Sequence, residues 1–556
     1  MTASAARPAL TWIAWAVLAL CWFALTDMRP LFEPDEGRYA EIPREMWVSG
    51  DWLAPRLNGL LYFEKPPLQY WATATMYSLF GFSEWTARFW SVALAFACLW
   101  MVFAFCRRWF ASEPVALAAV LVLATNPFFT IIGHINILDS AFAFFMSAAV
   151  FAFLLSRRGD GAPASARNWM LVTWAAIALA LLSKGLVALV LPGVAIVAYS
   201  LLARDASVWR RWQVPLGLPL LLLIAAPWFW MMSREHPGFA EFFFVHEHFA
   251  RFLTKVHQRD EPWWYFLPTL FLALVLWLPS VVPALRGAWR DSNAAHRLGS
   301  RMLLVWCAGV FLFFSLSQSK LPPYVMPIMP ALAVLIARQV AADERALRRA
   351  AASYFVLIAI VAVGLIVYAH RRSGSLTDPM WWWAGAAVVV AALGWLAWQR
   401  LGRNPAQTVW RVVALAGSSM IAWQLLFGGY AAMEPRRTAR HLVDEVRSQI
   451  GPRTHLYSVG QYRQSIPPYL GRTLDLQAYT GEMEYGLNAS NERQATTAEH
   501  FAREWQGATD AVAFIEPGMY EELRAAGLPG EVIASDRRSI VLRRQPLADS
   551  TSEGRQ

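Results

Sequence analysis

Charge is scarce in this chain. Only 16% of its 556 residues are charged and 57% are apolar, where a soluble protein of this size carries roughly 25% charged residues. That balance excludes an ordinary soluble fold. Cysteine is scarce too. Cys21, Cys98, Cys106 and Cys307 lie in or at the ends of apolar runs with no C-x-x-C pair, which argues against disulfides and thiolate metal sites. There is no Walker motif, no G-x-G-x-x-G and no nucleophile elbow, so nucleotide and acyl chemistry have no support. No internal repeat stands out. The first apolar run, LTWIAWAVLALCWFALT, lacks a small-residue cleavage site and reads as a retained helix. The net charge of +10 does not call for nucleic acid, because the basic residues collect in short loops, as the positive-inside rule expects.

What is present is a series of long apolar runs. Segments near 9–26, 86–105, 113–133, 138–156, 168–183, 185–203, 214–232, 263–285, 302–317, 324–341, 352–369, 381–399 and 412–430 are each candidates to span a bilayer, which needs about 20 residues. Alternate loops are arginine-rich, from Arg107 and Arg108 through Arg157, Arg158 and Arg167 to Arg400, Arg403 and Arg411. Most of the others carry at most one cation, such as Lys184 in SKG and Lys320 in SQSK; HRRSG is the exception. This asymmetry puts the amino terminus in the cytoplasm, and about thirteen crossings put the carboxyl-terminal region outside. The expected architecture is an α-helical polytopic membrane domain over 1–430, with long outer loops near 27–85 and 233–262. The stretch PPLQYWATATMYSLFGF in the first loop is expected to be an amphipathic helix on the membrane surface. Over 431–556 the composition changes. RTHLYSVG, RTLDLQAYT, TDAVAFIEP and EVIASDRRSIVLRR read as strands, TARHLVDEVRSQI and AEHFAREW as helices, giving a small soluble α/β domain.

The first outer loop gathers carboxylates in FEPDEGRYAEIPREM. Lipid headgroups are themselves usually anionic and repel such a cluster. Asp35 and Glu36 are therefore read as facing a cation, an amine or a developing positive charge, such as the one at an anomeric carbon during glycosyl transfer; the plain alternative is a solvated loop. Asp139, in GHINILDS with His134 and Asn136, sits at the mouth of an apolar helix, where an ionisable residue points to function; the alternative is a helix N-cap. Lys65 precedes Pro66 and Pro67, which hold it and Glu64 in an extended segment suited to a phosphate; the alternative is snorkelling to the interface. FFFVHEHFARF brings His246, Glu247, His248 and Arg251 together. Arg251 suits bidentate phosphate contacts. A metal shared by the histidines needs a helix end or a ligand from elsewhere, such as Glu64. SQSKLPPYVMP adds Lys320 and Tyr324. Lys65, Arg251, Lys320 and Tyr324, with Tyr62 from the same stretch as Lys65, form a phosphate-binding set for a polyprenyl phosphate, and the acidic set suits the sugar being moved.

The block DEGRYAEIPREMWVSGDWLAPRLNGLLYFEKPPLQYW, followed by ARFWS, LDS, SKG, EHFARF and SKLPPY, resembles the bacterial aminoarabinose transferases of lipid A. These belong to the GT-C glycosyltransferases, with protein O-mannosyltransferases and oligosaccharyltransferases. The likeness covers the membrane part to about residue 430; the outer domain matches in size and position only. The resemblance implies a GT-C fold and an inner-membrane enzyme with its active site on the periplasmic face. It implies transfer of 4-amino-4-deoxy-L-arabinose from undecaprenyl phosphate to lipid A phosphates of lipopolysaccharide, giving resistance to polymyxin and cationic peptides. It matches Asp35 and Asp139 to the family's acidic positions, with Glu36 counted beside them as catalytic. It matches Lys65, Arg251 and Tyr324 to carrier-phosphate positions, and Glu64 with His246 or His248 to a metal position. A divalent cation there (zinc, magnesium or manganese) is expected to be structural, because a lipid A phosphate is already an anion and needs no strong base. Two other readings stay open: a GT-C enzyme moving a neutral sugar to protein or another lipid, and a flippase of lipid-linked sugars. Transporters often carry internal repeats and Gly/Pro-broken helix pairs at corresponding positions; the sequence suggests neither, and its charged motifs cluster on one face, not at the midplane.

Overall fold

The computed structural model describes residues 6–158, 162–250, 261–341, 343–373, 380–402, 404–433, 437–490 and 496–544. The chain forms two compact units. The first comprises Met1–Met28, Glu64–Gln69 and Arg88–Met433; the second comprises Arg29–Phe63, Tyr70–Ala87 and Glu434–Gln556.

Among the described residues of the first unit, nine helices are long and apolar enough to cross a membrane, and two bent helix pairs pass the same test together. Adding the shorter apolar helices Leu10–Phe23 and Val187–Leu202 gives thirteen candidate spans at the positions expected from the apolar runs. This is a multi-pass membrane protein. The bends have local causes. Glu113–Ala124 turns by 68° into Pro127–Gly133 because Asn126 caps the second helix through the Phe129 N–H and Pro127 opens it, where its missing N–H costs nothing. Close approaches use glycine. A Cβ at Gly299 would lie 2.6 Å from the Trp109 indole, too near for any other residue at that crossing. Helix Leu138–Arg157 is the most enclosed, with 89% of its apolar window buried against 22% for Val214–Glu235. It packs among protein and tolerates Ser140 and Ser147, while Val214–Glu235 faces outward.

The second unit is built on a five-stranded sheet in the order β4-β3-β5-β7-β6. Its strands are β3 (His455–Val459), β4 (Asp475–Gln477), β5 (Ala511–Ile515), β6 (Glu531–Ser535) and β7 (Ile540–Arg544); β1 (Arg56–Leu57) and β2 (Leu60–Leu61) form a separate hairpin. β3 runs parallel to β4 and β5, and β7 runs antiparallel to β5 and β6. β5 is buried throughout, as a strand covered on both faces must be. Phe501, Trp505 and Leu523 pack with Tyr457, Val459 and Ile515. Leu442, Val443 and Val446 pack with Leu456, Val512, Phe514 and Val541. All four strand-forming stretches and both helices expected here form; helix Pro517–Ala525 was not foreseen. Leu31, Ala40 and Tyr77 lie in the same core as Leu456 and Phe514, so most of 27–85 is an integral layer of this unit. The stretch expected as a surface helix forms helix Leu68–Phe80. At 13 residues it is about 20 Å long, short of a bilayer crossing.

Candidate active site

The acidic stretch of the second unit sorts its carboxylates by burial. Helix Asp35–Ser49 begins just after Pro34. Glu33 accepts from Arg463 at 3.1 Å, Ser465 Oγ at 2.6 Å and Arg538 at 3.0 Å. Glu36, expected beside Asp35 as catalytic, is 1% exposed. It takes both guanidinium nitrogens of Arg29 and the Phe32 N–H, a clasp on its own loop. Glu41 is fully buried against Arg44, whose Nε donates to it at 2.6 Å. Burial pushes its carboxyl up to about 8 against the pull of Arg44. Glu45 accepts from the Gly59 N–H at 2.8 Å. Buried acids persist only when paired or hydrogen-bonded in this way. Asp35 differs: its side chain is 46% exposed and lies 3.5 Å from Arg38. Of the five carboxylates, Asp35 is the one open to a substrate. Tyr62 is buried, with the Arg38 guanidinium 5.9 Å from its ring centre.

In the membrane unit, Asp139 is the second residue of helix Leu138–Arg157. The cap is Ile137, with no side-chain cap bond, so capping is not what Asp139 does. Its carboxylate accepts from Lys184, and the two side chains are 12% and 11% exposed. Lys184 ends helix Pro163–Lys184; Gly185, at φ 88°, carries the chain away, and a cation suits a helix C-terminus. The ammonium lies 4.3 Å from the Tyr324 ring centre and 5.4 Å from Phe142. The turn entering the helix is held by Gln69, which donates to Asn136 Oδ1 at 2.8 Å, and by Ser91, which donates to the Ile137 carbonyl at 3.0 Å. Both His134 ring nitrogens meet backbone carbonyls, of Thr130 and Trp22, which makes His134 part of the helix packing.

Lys65 is drawn inward to protein partners. Its ammonium donates to Glu247 Oε2 at 3.2 Å and to the Glu64 carbonyl at 2.8 Å, with Glu64 Oε2 at 3.8 Å. Glu247 lies on the π-helix Glu241–Ala250 and its side chain is 2% exposed. His246, half-exposed, has Nδ1 3.8 Å from Glu247 Oε1 and stacks on Phe242. No three histidine, cysteine, aspartate or glutamate side chains converge on one point among the described residues. His248 belongs to the π-helix, but its side chain, like Arg251, lies outside the described residues. The Lys320 ammonium donates to the carbonyls of Glu261 and Ser317 and clamps those two segments together.

Two residues paired with sequence-predicted candidates, Lys184 and Glu247, are not singled out by the sequence alone. Lys184 was visible as the lone cation of its loop but served only to orient the helices. Glu247 stood between two histidines that drew attention first. A carboxylate so buried calls for pairing, and Lys65 is one of its partners.

The chain matches the family model for dolichyl-phosphate-mannose-protein mannosyltransferase over residues 12–243 and that for the aminoarabinose transferase C-terminal domain over 442–544. An undecaprenyl phosphate-alpha-4-amino-4-deoxy-L-arabinose arabinosyl transferase of Edwardsiella ictaluri is 34% identical over 332 residues, which cover 59% of this chain and 58% of that protein. The matched segment thus spans little more than half of that relative's length. A Proteus mirabilis transferase of the same description is 27% identical over 551 residues, covering 96% of each chain. The crystal structure of ArnT from Cupriavidus metallidurans bound to undecaprenyl phosphate superposes with a TM-score of 0.83 at 30% identity, covering 96% of this chain and 97% of that one. Similarity in sequence and fold along nearly the whole length, with the GT-C architecture it carries, makes this chain a member of the ArnT family of aminoarabinose transferases.

Proposed function

We propose that this protein transfers 4-amino-4-deoxy-L-arabinose from undecaprenyl phosphate to a phosphate of lipid A at the periplasmic face of the bacterial inner membrane. The observation that carries this reading is the grouping of Asp139, Lys184 and Tyr324 at the mouth of an enclosed membrane helix. It offers a fixed positive charge to a phosphate and a carboxylate to a sugar. The relatives' descriptions supply the sugar and the carrier. A lipid A phosphate oxygen attacks the anomeric carbon while the bond from that carbon to the carrier's phosphate oxygen breaks. The bonding electrons leave with undecaprenyl phosphate, and no proton need be removed from the acceptor. Lys65, Arg251 and Tyr324, joined by Lys184, stabilise the leaving phosphate. Asp35 and Asp139 favour the oxocarbenium-like sugar and its ammonium.

Carboxylate and imidazole donors are of the kind a zinc ion takes, and Glu64, half-exposed His246 and His248 supply them. A divalent cation held there would tie the segment at Glu64 to the loop at 246–248 and serve a structural role. Exhaustive chelation then lowers the melting temperature and slows transfer only modestly. Abolished transfer at an unchanged melting temperature would make the metal catalytic.

The test of the transfer reading is a reconstituted assay. Purified protein in lipid vesicles receives the undecaprenyl-linked aminosugar and lipid A, and glycosylated lipid A and carrier movement are both measured. Product formation that is lost in Asp35→Asn and Asp139→Asn supports the reading. Movement of the donor across the bilayer without product would make the protein a transporter.

A further inference from the structure

We infer that Glu482 of the carboxyl-terminal segment keeps the Asp35 carboxylate open to substrate by holding Arg38 in a second, shielded ion pair. The inference rests on Asp35 acting as the carboxylate beside the sugar.

Asp35 and Arg38 stand one helical turn apart on helix Asp35–Ser49, the spacing at which opposite charges pair. Left to each other they would close into a tight charge-assisted contact of about 2.8 Å, and the guanidinium would cover an Asp35 oxygen that a substrate could otherwise meet. The pair is instead a looser one at 3.5 Å, while the other nitrogen of the same guanidinium, Arg38 Nη2, is held by Glu482 Oε2 at 2.6 Å. The competition is uneven. Arg38 and Glu482 are 10% and 14% exposed, while Asp35 is 46% exposed. The shielded pair is stronger because water screens it less. Glu482 is itself aimed by the Gln464 side-chain amide, which donates to its other oxygen. The first turn of the helix cannot drift from this arrangement. A Cβ at Gly37 would lie 2.6 Å from the Gln464 backbone, and Glu33, just before the helix, is bound by Arg463 and Ser465. The carboxyl-terminal segment thus acts on the reaction as a set of positioning residues, with Glu482 governing how open the Asp35 carboxylate stands. For an aminosugar donor, which brings an ammonium, that carboxylate matters more than for a neutral sugar.

The experiment compares Glu482→Gln, Glu482→Asp, Asp35→Asn and the double variant Glu482→Gln/Arg38→Gln in full-length protein. Steady-state transfer and melting temperature are recorded. Glu482→Gln lets Arg38 close on Asp35, so kcat falls about tenfold, a loss of roughly 1.4 kcal/mol of transition-state stabilisation. Melting changes little. Glu482→Asp keeps the charge and most of the rate. The double variant removes the released cation and recovers most of kcat, which a merely structural residue would not allow. Wild-type kcat in Glu482→Gln, with Asp35→Asn inactive, would overturn this inference alone. So would a loss that the double variant deepens along with a fall in melting temperature. Full turnover in Asp35→Asn would remove the underlying assignment of Asp35 and this inference with it.

Discussion

Replacing Lys184 by Met separates what the Asp139–Lys184 pair does for stability from what it does for transfer. Both side chains are nearly buried, at 11% and 12% exposure, and bonded to each other. Lys184→Met fills the same space with an apolar chain and strands the Asp139 carboxylate at the end of an enclosed helix. Removing one partner of a buried pair costs about 3–5 kcal/mol, so the apparent melting temperature of the detergent-purified protein drops. Losing one electrostatic stabiliser of the leaving phosphate lowers kcat by about 10²–10³-fold. The double variant Asp139→Asn/Lys184→Met removes both charges. A buried pair is often replaceable by neutral groups at little net cost, so most of the melting temperature returns while transfer stays lost. Melting by scanning fluorimetry and transfer by mass spectrometry of the lipid product read the two effects apart. If the double variant regains transfer together with stability, the pair is a structural strut and the catalytic reasoning fails.

Lys65→Ala weakens donor binding more than acceptor binding, and removes one ion pair from buried Glu247; an unchanged donor affinity in direct titration would make Lys65 structural. Gly37→Ala drives a Cβ into the Gln464 backbone and destabilises the second unit by about 1–3 kcal/mol, read as a lowered melting temperature. Asp536 supplies a pH dependence. Burial pushes its carboxyl up, but the hydrogen bond from His441 and the charge of Arg463 outweigh burial and hold it well below the usual range. An acid lowered in the folded state contributes stability above its unfolded value of about 4 and loses it as pH falls further. Melting temperature therefore falls on acidification below about pH 4, less steeply in Asp536→Asn; equal slopes would contradict this.

The membrane helices were legible because lipid demands long uninterrupted apolar runs, and all thirteen such runs form helices or bent helix pairs at the expected positions. β3, β4, β5 and the β6–β7 hairpin were legible through their apolar, β-branched content. The membership of 29–63 and 70–87 in the second unit was not. It depends on contacts such as the Leu31 N–H to Tyr469 Oη and Glu33 to Arg463, which join residues more than 400 positions apart and leave no local pattern. Composition likewise could not separate Asp35 from Glu36. One step along a helix turns one carboxylate outward and the other onto Arg29. The candidate residues were legible as residue types in their motifs, but the pairings of Lys65 with Glu247 and of Lys184 with Asp139 emerge only from tertiary packing.

The central claim is the transfer of an aminopentose to lipid A. Mass spectrometry of lipid A from cells with and without the gene tests it most directly. The account predicts an added mass of one aminopentose per modified phosphate that appears only with the gene and disappears in Asp35→Asn. Lipid A of identical mass in both strains, under conditions where the protein and its donor are present, would contradict it.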